Sequence, residues 1–280
     1  MSKPAHPTPR VRPRRGKSMA AKADRHELYE LSVQAPETDA ATLAKLYKKL
    51  RKRHAMSLRE DFCGTAVLSL AWVQSKPGRT AVGIDLDQPT LDWGLAKRIE
   101  PAGPEVAQRI ELHRANVLDG VGPKVDVTAA LNFSYMVFQQ RKDMLAYFQA
   151  ARSMLVDDGV FILDLLGGWG SMGEETNRRR VKGFKYVWQQ RSFDPLTHHF
   201  TCAIEFEFPD GSRIEDAFFY DWRLWTSPEL RDLLYDAGFS KVHLMWERTD
   251  EDGEGNGKFY EPTEEVDNDE SWWTFIVAEK

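Results

Sequence analysis

Between residues 56 and 165 the chain alternates short runs of β-branched and apolar residues with amphipathic segments of helical period, and few folds accommodate that rhythm. The runs 56–62, 80–86, 110–114, 125–131 and 160–165 read as strands. The segments 66–74, 90–98 and 142–155 between them read as helices, and two more helical stretches, 27–34 and 40–50, come first. Strands joined in succession through helices lie parallel in one sheet that is covered on both faces.

After Leu166 the rhythm changes. Gly167-Gly168-Trp169-Gly170 opens a loop, and the runs 186–193, 200–208 and 213–222 follow without helices between them. Pro209-Asp210-Gly211 joins the last two as a hairpin turn, so 167–225 reads as an antiparallel insertion, a lid or a dimer contact. Its aromatics, Trp188, Phe206, Phe208, Phe218, Phe219, Tyr220, Trp222 and Trp225, alternate with polar residues as in a half-buried sheet, and most are expected in its core. Thr226-Ser227-Pro228-Glu229 has the form of a capping box, predicting a helix to about Ala237 that Gly238 ends. Strands at 242–246 and 272–278 close the chain around an acidic, glycine-rich segment, 249–270, read as a loop.

With 280 residues and 42% hydrophobic content, the chain can bury one large core with a sizeable insertion. Residues 1–23, basic and proline-rich, are expected to be a disordered tail, a solvated segment more than a weak nucleic-acid tether. The core is then expected over 24–166, resuming at 226–280. No apolar run approaches the ~20 residues of a membrane span and the start does not resemble a secretory signal, so a cytoplasmic protein is expected. Cys63 and Cys202 lie in no metal-ligand pattern, so neither disulfide nor metal is assigned.

"LREDFCGTAVLSLAW", residues 58–72, carries the chemistry. A strand ending in acids, a tight turn at Gly64 and a helix starting near Thr65 bring backbone N–H groups and the positive helix end to the carboxyl edge of a parallel sheet, where ligands of open α/β folds bind. A dinucleotide would want GxGxxG, which is absent; a single glycine among carboxylates suits a small ligand with positive charge. Asp85 ends "AVGIDLD" about twenty residues later, where a carboxylate can accept both hydroxyls of a ribose. In "RANVLD", Asn116 offers an amide to an adenine edge and Val117 an apolar face; "LNFSY" puts Asn132 and Tyr135 at the same edge.

With these features in this order, the chain resembles the class I S-adenosylmethionine-dependent methyltransferases over residues 27–280. The resemblance implies a three-layer α/β Rossmann-like fold, a mostly parallel seven-stranded sheet with a terminal antiparallel hairpin. It implies S-adenosylmethionine as cofactor, held by Glu60, Phe62, Cys63, Gly64, Thr65, Asp85, Leu86, Asn116, Val117 and Asn132, with Glu60 near the methionine amino group. Tyr29 and Gln34, in "LYELSVQAP", would belong to a leading segment that closes over the methionine end. Two departures stand out: Phe62 replaces the family's first glycine and Ala66 its last, making the turn bulkier. "NFSY" keeps the spacing of the branch that methylates nucleic-acid bases but lacks its two prolines. The expected activity is methyl transfer to a small-molecule acceptor, with Tyr135 positioning or deprotonating it; a nucleic-acid or protein N-methyltransferase and a non-catalytic scaffold are the alternatives. The acceptor and the oligomeric state are not legible.

Overall fold

The computed structural model describes residues 9–12, 18–250 and 255–280. Along the chain run β1 (Arg10–Arg12), α1 (Met19–Lys22), α2 (Arg25–Val33), α3 (Pro36–Arg51), β2 (Ser57–Asp61), α4 (Val67–Gln74), β3 (Thr80–Asp85), α5 (Gln88–Gly94), α6 (Pro104–Ala107), β4 (Ile110–Arg114) and β5 (Val125–Ala130). Then come α7 (Arg141–Ser153), β6 (Leu155–Gly167), β7 (Glu175–Val181), β8 (Phe184–Phe193), β9 (His199–Glu207), β10 (Arg213–Arg223), α8 (Ser227–Asp236), β11 (Lys241–Thr249), β12 (Gly255–Tyr260) and β13 (Trp272–Glu279). They form two compact units: Met1–Gln34, Met136–Gln139 and Trp169–Trp225 in the smaller, the remainder in the larger.

The larger unit is built on a sheet in the order β12-β11-β13-β6-β5-β2-β3-β4. Strands β4, β3, β2, β5 and β6 are parallel, whereas β13 runs antiparallel between β6 and β11. β5 is buried along its whole length, Asp126 and Thr128 included, as befits a central strand covered on both faces. On one face α3 and α4 seat Leu43, Leu46, Tyr47 and Trp72 against the strands. On the other, Tyr147 and Phe148 of α7 meet Phe161 of β6, and Phe239 stacks on Phe161. The predicted capping box opens α8, with the Thr226 N–H and hydroxyl both donating to Glu229 Oε2. Eight strands stand where seven were expected. The extra one is β12, inside the segment read as a loop; it pairs with β11 through Trp246 and Tyr260 and sets Phe259 against Trp273 and Phe275.

The smaller unit is an antiparallel sheet in the order β1-β10-β9-β8-β7. Glu175–Val181 adds a strand to the three expected of the insertion, and Arg10–Arg12 pairs along β10. The tail is therefore ordered in part; residues 1–8 and 13–17 lie outside the described residues. At Ser18–Met19 the chain is fastened to the hairpin turn, since Met19 N–H donates to Asp210 Oδ2 (2.8 Å) and Ala20 N–H to Ser212 Oγ (3.0 Å). Ala20 and Leu28 then join a core with Phe184, Ile204 and Phe206. The core expected to begin at residue 24 begins at Ala35 instead, because α2 buries its apolar side in this second cluster.

The amino ends of β2 and β5 are tied by one carboxylate. Asp126 accepts from the N–H groups of Met56 (2.7 Å) and Ser57 (3.1 Å), from Arg53 (2.8 Å) and from the hydroxyls of Ser57 (3.2 Å) and Tyr47 (3.3 Å). Replacing it with alanine strands several of these donors, so Asp126→Ala is expected to lower unfolding free energy by at least about 1–3 kcal/mol in urea denaturation.

Candidate functional site

The 62–66 turn joins β2 to α4, and its backbone alternates: Phe62, Gly64 and Ala66 have φ of 59°, 53° and 58°. Only glycine adopts this left-handed region without steric cost. The residues standing where the family has glycine thus keep a glycine-like backbone. Three hydrogen bonds hold it: Cys63 N–H to Ile84 O (3.0 Å), Ala66 N–H to Cys63 O (2.8 Å) and Gly64 N–H to Asp85 Oδ2 (2.9 Å). Cys63 and Ala66 sit in a cluster with Leu91 and Ile99, and Thr65 is buried as well. Phe62 leans on the Tyr147 ring, centroids 5.6 Å apart. Gly94 of α5 approaches so closely that a Cβ there would lie 2.3 Å from Thr65 O. At Gly64, by contrast, a Cβ would meet nothing within 4 Å, so the glycine faces open space.

Asp85 is oriented by the same turn. One oxygen accepts from Gly64 N–H and the other from Asp87 N–H (2.9 Å), which leaves a lone pair on each for two hydroxyls. Leu86 beside it is 48% exposed. At the end of β4, Asn116 Oδ1 accepts from Leu118 N–H (3.1 Å) and its own N–H donates to Asp119 (3.0 Å). Its Nδ2 amide remains as a donor next to buried Val117.

Four carboxyls gather on this edge. Glu60 is buried, accepting from the Ser69 N–H (2.9 Å) and hydroxyl (2.5 Å) through Oε2, and burial pushes it up to about 7. Asp164 of β6, also buried, accepts from the N–H groups of Asn132 (2.7 Å) and Phe133 (2.9 Å), and burial raises it to about 7 despite them. Asp39 in the first turn of α3 is raised to about 6, again by burial, and its charge raises both Glu60 and Asp164, while Asp85 adds to the shift of Glu60. Neither Asp39 nor Asp164 stood out in the sequence. The signal for Asp164 was a lone acid in the apolar run "VFILDLL"; Asp39 had none.

Asn132 and Phe133 are both left-handed (φ 57° and 56°), and Asp164 secures that turn. Tyr135, expected to act on the acceptor, is fully buried, and its hydroxyl donates to Asp164 O (2.8 Å). It is a strut of the turn: packing drew the aromatic ring inward, and the hydroxyl found a backbone partner there. Of the leading segment, Tyr29 packs on Phe218 (4.7 Å) within the smaller unit, and Gln34 ends α2 with a buried Oε1 that has no hydrogen-bond partner.

No protein-family model matches the sequence, and no curated protein matches it. Among solved structures it is similar to the CcbJ methyltransferase from Streptomyces caelestis (TM-score 0.64, 17% identity, 89% of this chain and 97% of that one). It is also similar to CalS10, an amino pentose methyltransferase from Micromonospora echinaspora described with SAM bound (0.63, 15%, 91% and 95%). A third is the sugar N-methyltransferase KedS8 from a Streptoalloteichus species (0.59, 16%, 92% and 93%). At these identities the likeness establishes the fold: this chain has the Rossmann-like fold of S-adenosylmethionine-dependent methyltransferases.

Two measurements check the site. A buried alanine exchanged for glycine ordinarily costs about 0.5–1 kcal/mol, but at φ 58° the relief of strain offsets that, so Ala66→Gly is expected to leave the melting temperature unchanged or higher. Glu60 and Asp164 keep protons in the folded state that the unfolded chain releases, so between their ordinary values and about 7 their contribution to stability falls as pH rises. The ligand-free protein should melt higher at pH 5.5 than at pH 8, and Glu60→Gln or Asp164→Asn should narrow that gap by a few degrees, at about 2–4 °C per kcal/mol.

Proposed function

We propose that the chain is an S-adenosylmethionine-dependent methyltransferase acting on a small-molecule acceptor. The observation that carries this reading is the Gly64–Asp85 pair: a glycine facing open space, hydrogen-bonded to a carboxylate whose remaining lone pairs suit a ribose diol. The groups present fit the cofactor. Asp85 would hold the ribose, Asn116 and Val117 the adenine, and Gly64 would lie under the nucleoside. Asp39, Glu60 and Asp164 supply negative charge for the ammonium and sulfonium. Phe62, Cys63, Thr65, Leu86 and Asn132 would shape the pocket wall.

Bound there, S-adenosylmethionine supplies a methyl group made electrophilic by the sulfonium. The protein's own work is alignment and exclusion of water: the turn fixes the nucleoside, and the carboxylates fix the charged end in a region of low polarity. With Tyr135 turned inward, the structure offers no tyrosine base at this position, which suits an acceptor that arrives unprotonated. The likeness to CalS10, an amino pentose methyltransferase, and to KedS8, a sugar N-methyltransferase, supports a small acceptor over a nucleic acid.

Calorimetric titration with S-adenosylmethionine and its demethylated product is expected to give micromolar binding. Asp85→Ala should weaken it by about 1–3 kcal/mol. Affinity for the cation should rise with pH through about 6 to 7 as Asp39 and Glu60 lose their protons. No binding of either ligand would overturn the reading.

A further inference from the structure

On the sheet face that carries α8, the larger unit holds a cavity of about 260 Å³ lined by Ser227, Leu244, Trp246, Pro262, Val266, Asp267, Asn268, Trp272 and Thr274. Its walls are largely apolar, and two tryptophans dominate them. The Trp246 and Trp272 rings lie 4.9 Å apart, tilted 47° to each other. The loop that completes the cavity is seated on bare backbone: a Cβ on Gly167 would fall 2.2 Å from the Trp272 ring, and one on Gly168 (φ 107°) would fall 2.4 Å from Glu270 O. The Trp272 indole N–H donates to Asn268 Oδ1 (3.3 Å). Side chains at either glycine would lift the loop, so the cavity is a built feature of the fold.

Charge decides what fits. Residues 261–272 contain Glu261, Glu264, Glu265, Asp267, Asp269 and Glu270 and neither lysine nor arginine. Asp267 lines the cavity itself. The amino end of α8 brings Ser227 to the wall, and its dipole would oppose a cation, but the Glu229 carboxylate already occupies that first turn. Arg248, two residues beyond Trp246 on β11, lies over the Tyr260 ring (4.3 Å) and is not part of the lining. Indole rings beside a carboxylate, here Trp246 and Trp272 with Asp267 in one lining, favour an alkylated ammonium over a neutral molecule of equal shape, because the ring quadrupole attracts the charge while the methyl groups keep their apolar contacts.

We propose that this cavity is a binding site for a small organic cation bearing an alkylated ammonium group. The inference does not depend on the cofactor reading, since no residue of the 62–66 turn, nor Asp85, lines the cavity.

The test compares choline with 3,3-dimethyl-1-butanol, its neutral isostere, by calorimetry on the full chain at matched ionic strength. Saturable choline binding, at least about tenfold tighter than the alcohol, is expected. Asp267→Asn, an exposed position where folding is undisturbed, should weaken choline several-fold and leave the alcohol unchanged. Trp246→Leu should weaken choline more strongly, with circular dichroism verifying the fold. Equal binding of the two probes, no saturable choline binding, or wild-type choline affinity in both variants would overturn the proposal, whatever the cofactor titration shows.

Discussion

The hydrogen bond from Gly64 N–H to an oxygen of Asp85 is the constraint on which the candidate site depends. It couples two crossovers of the parallel sheet at the point where both strands end. Together with the Asp87 N–H it fixes the Asp85 carboxylate at the rim. With Cys63 N–H on Ile84 O, it clamps a turn that contains two non-glycine residues in left-handed conformation. Such backbone persists only where its surroundings over-determine it, and here they do so from both sides: Gly94 presses on Thr65, and Tyr147 supports Phe62.

A second fastening of the same kind sits two strands away. Asp164 binds the N–H groups of two consecutive left-handed residues, and Tyr135 returns to the backbone of Asp164 from the same loop. Two loops at the carboxyl edge are thus held by acids, and the charge of Asp39 reaches both Asp164 and Glu60. Burial keeps Glu60 and Asp164 protonated nearer to neutrality than an ordinary carboxyl, which limits self-repulsion among these acids. A cationic ligand would reverse that balance by drawing the protons off.

Much of this was legible in the sequence because it rests on local signals. The strands of the parallel sheet, the turn after β2, Asp85 and the α8 capping box follow from apolar runs, glycine and spacing. What was not legible depends on partners distant in the chain. Glu175–Val181 has both faces wet and so shows no alternation; Arg10–Arg12 became a strand only by lying along β10; and β12 hid in a segment whose acids and glycines spoke for a loop. Tyr135 kept a motif's spacing while its side chain followed the core. Asp39 carries no mark in its helix, and its significance lies in carboxylates 21 and 125 positions away.

β7 has one further consequence. Six of its seven residues are exposed, and Arg178, Arg179 and Arg180 follow one another along the outermost strand of the smaller sheet. A strand with no apolar side contributes little to the core, but it ends the sheet in a row of like charges that a second copy would have to desolvate and bring together. Basic side chains on such an exposed edge disfavour pairing with a further strand.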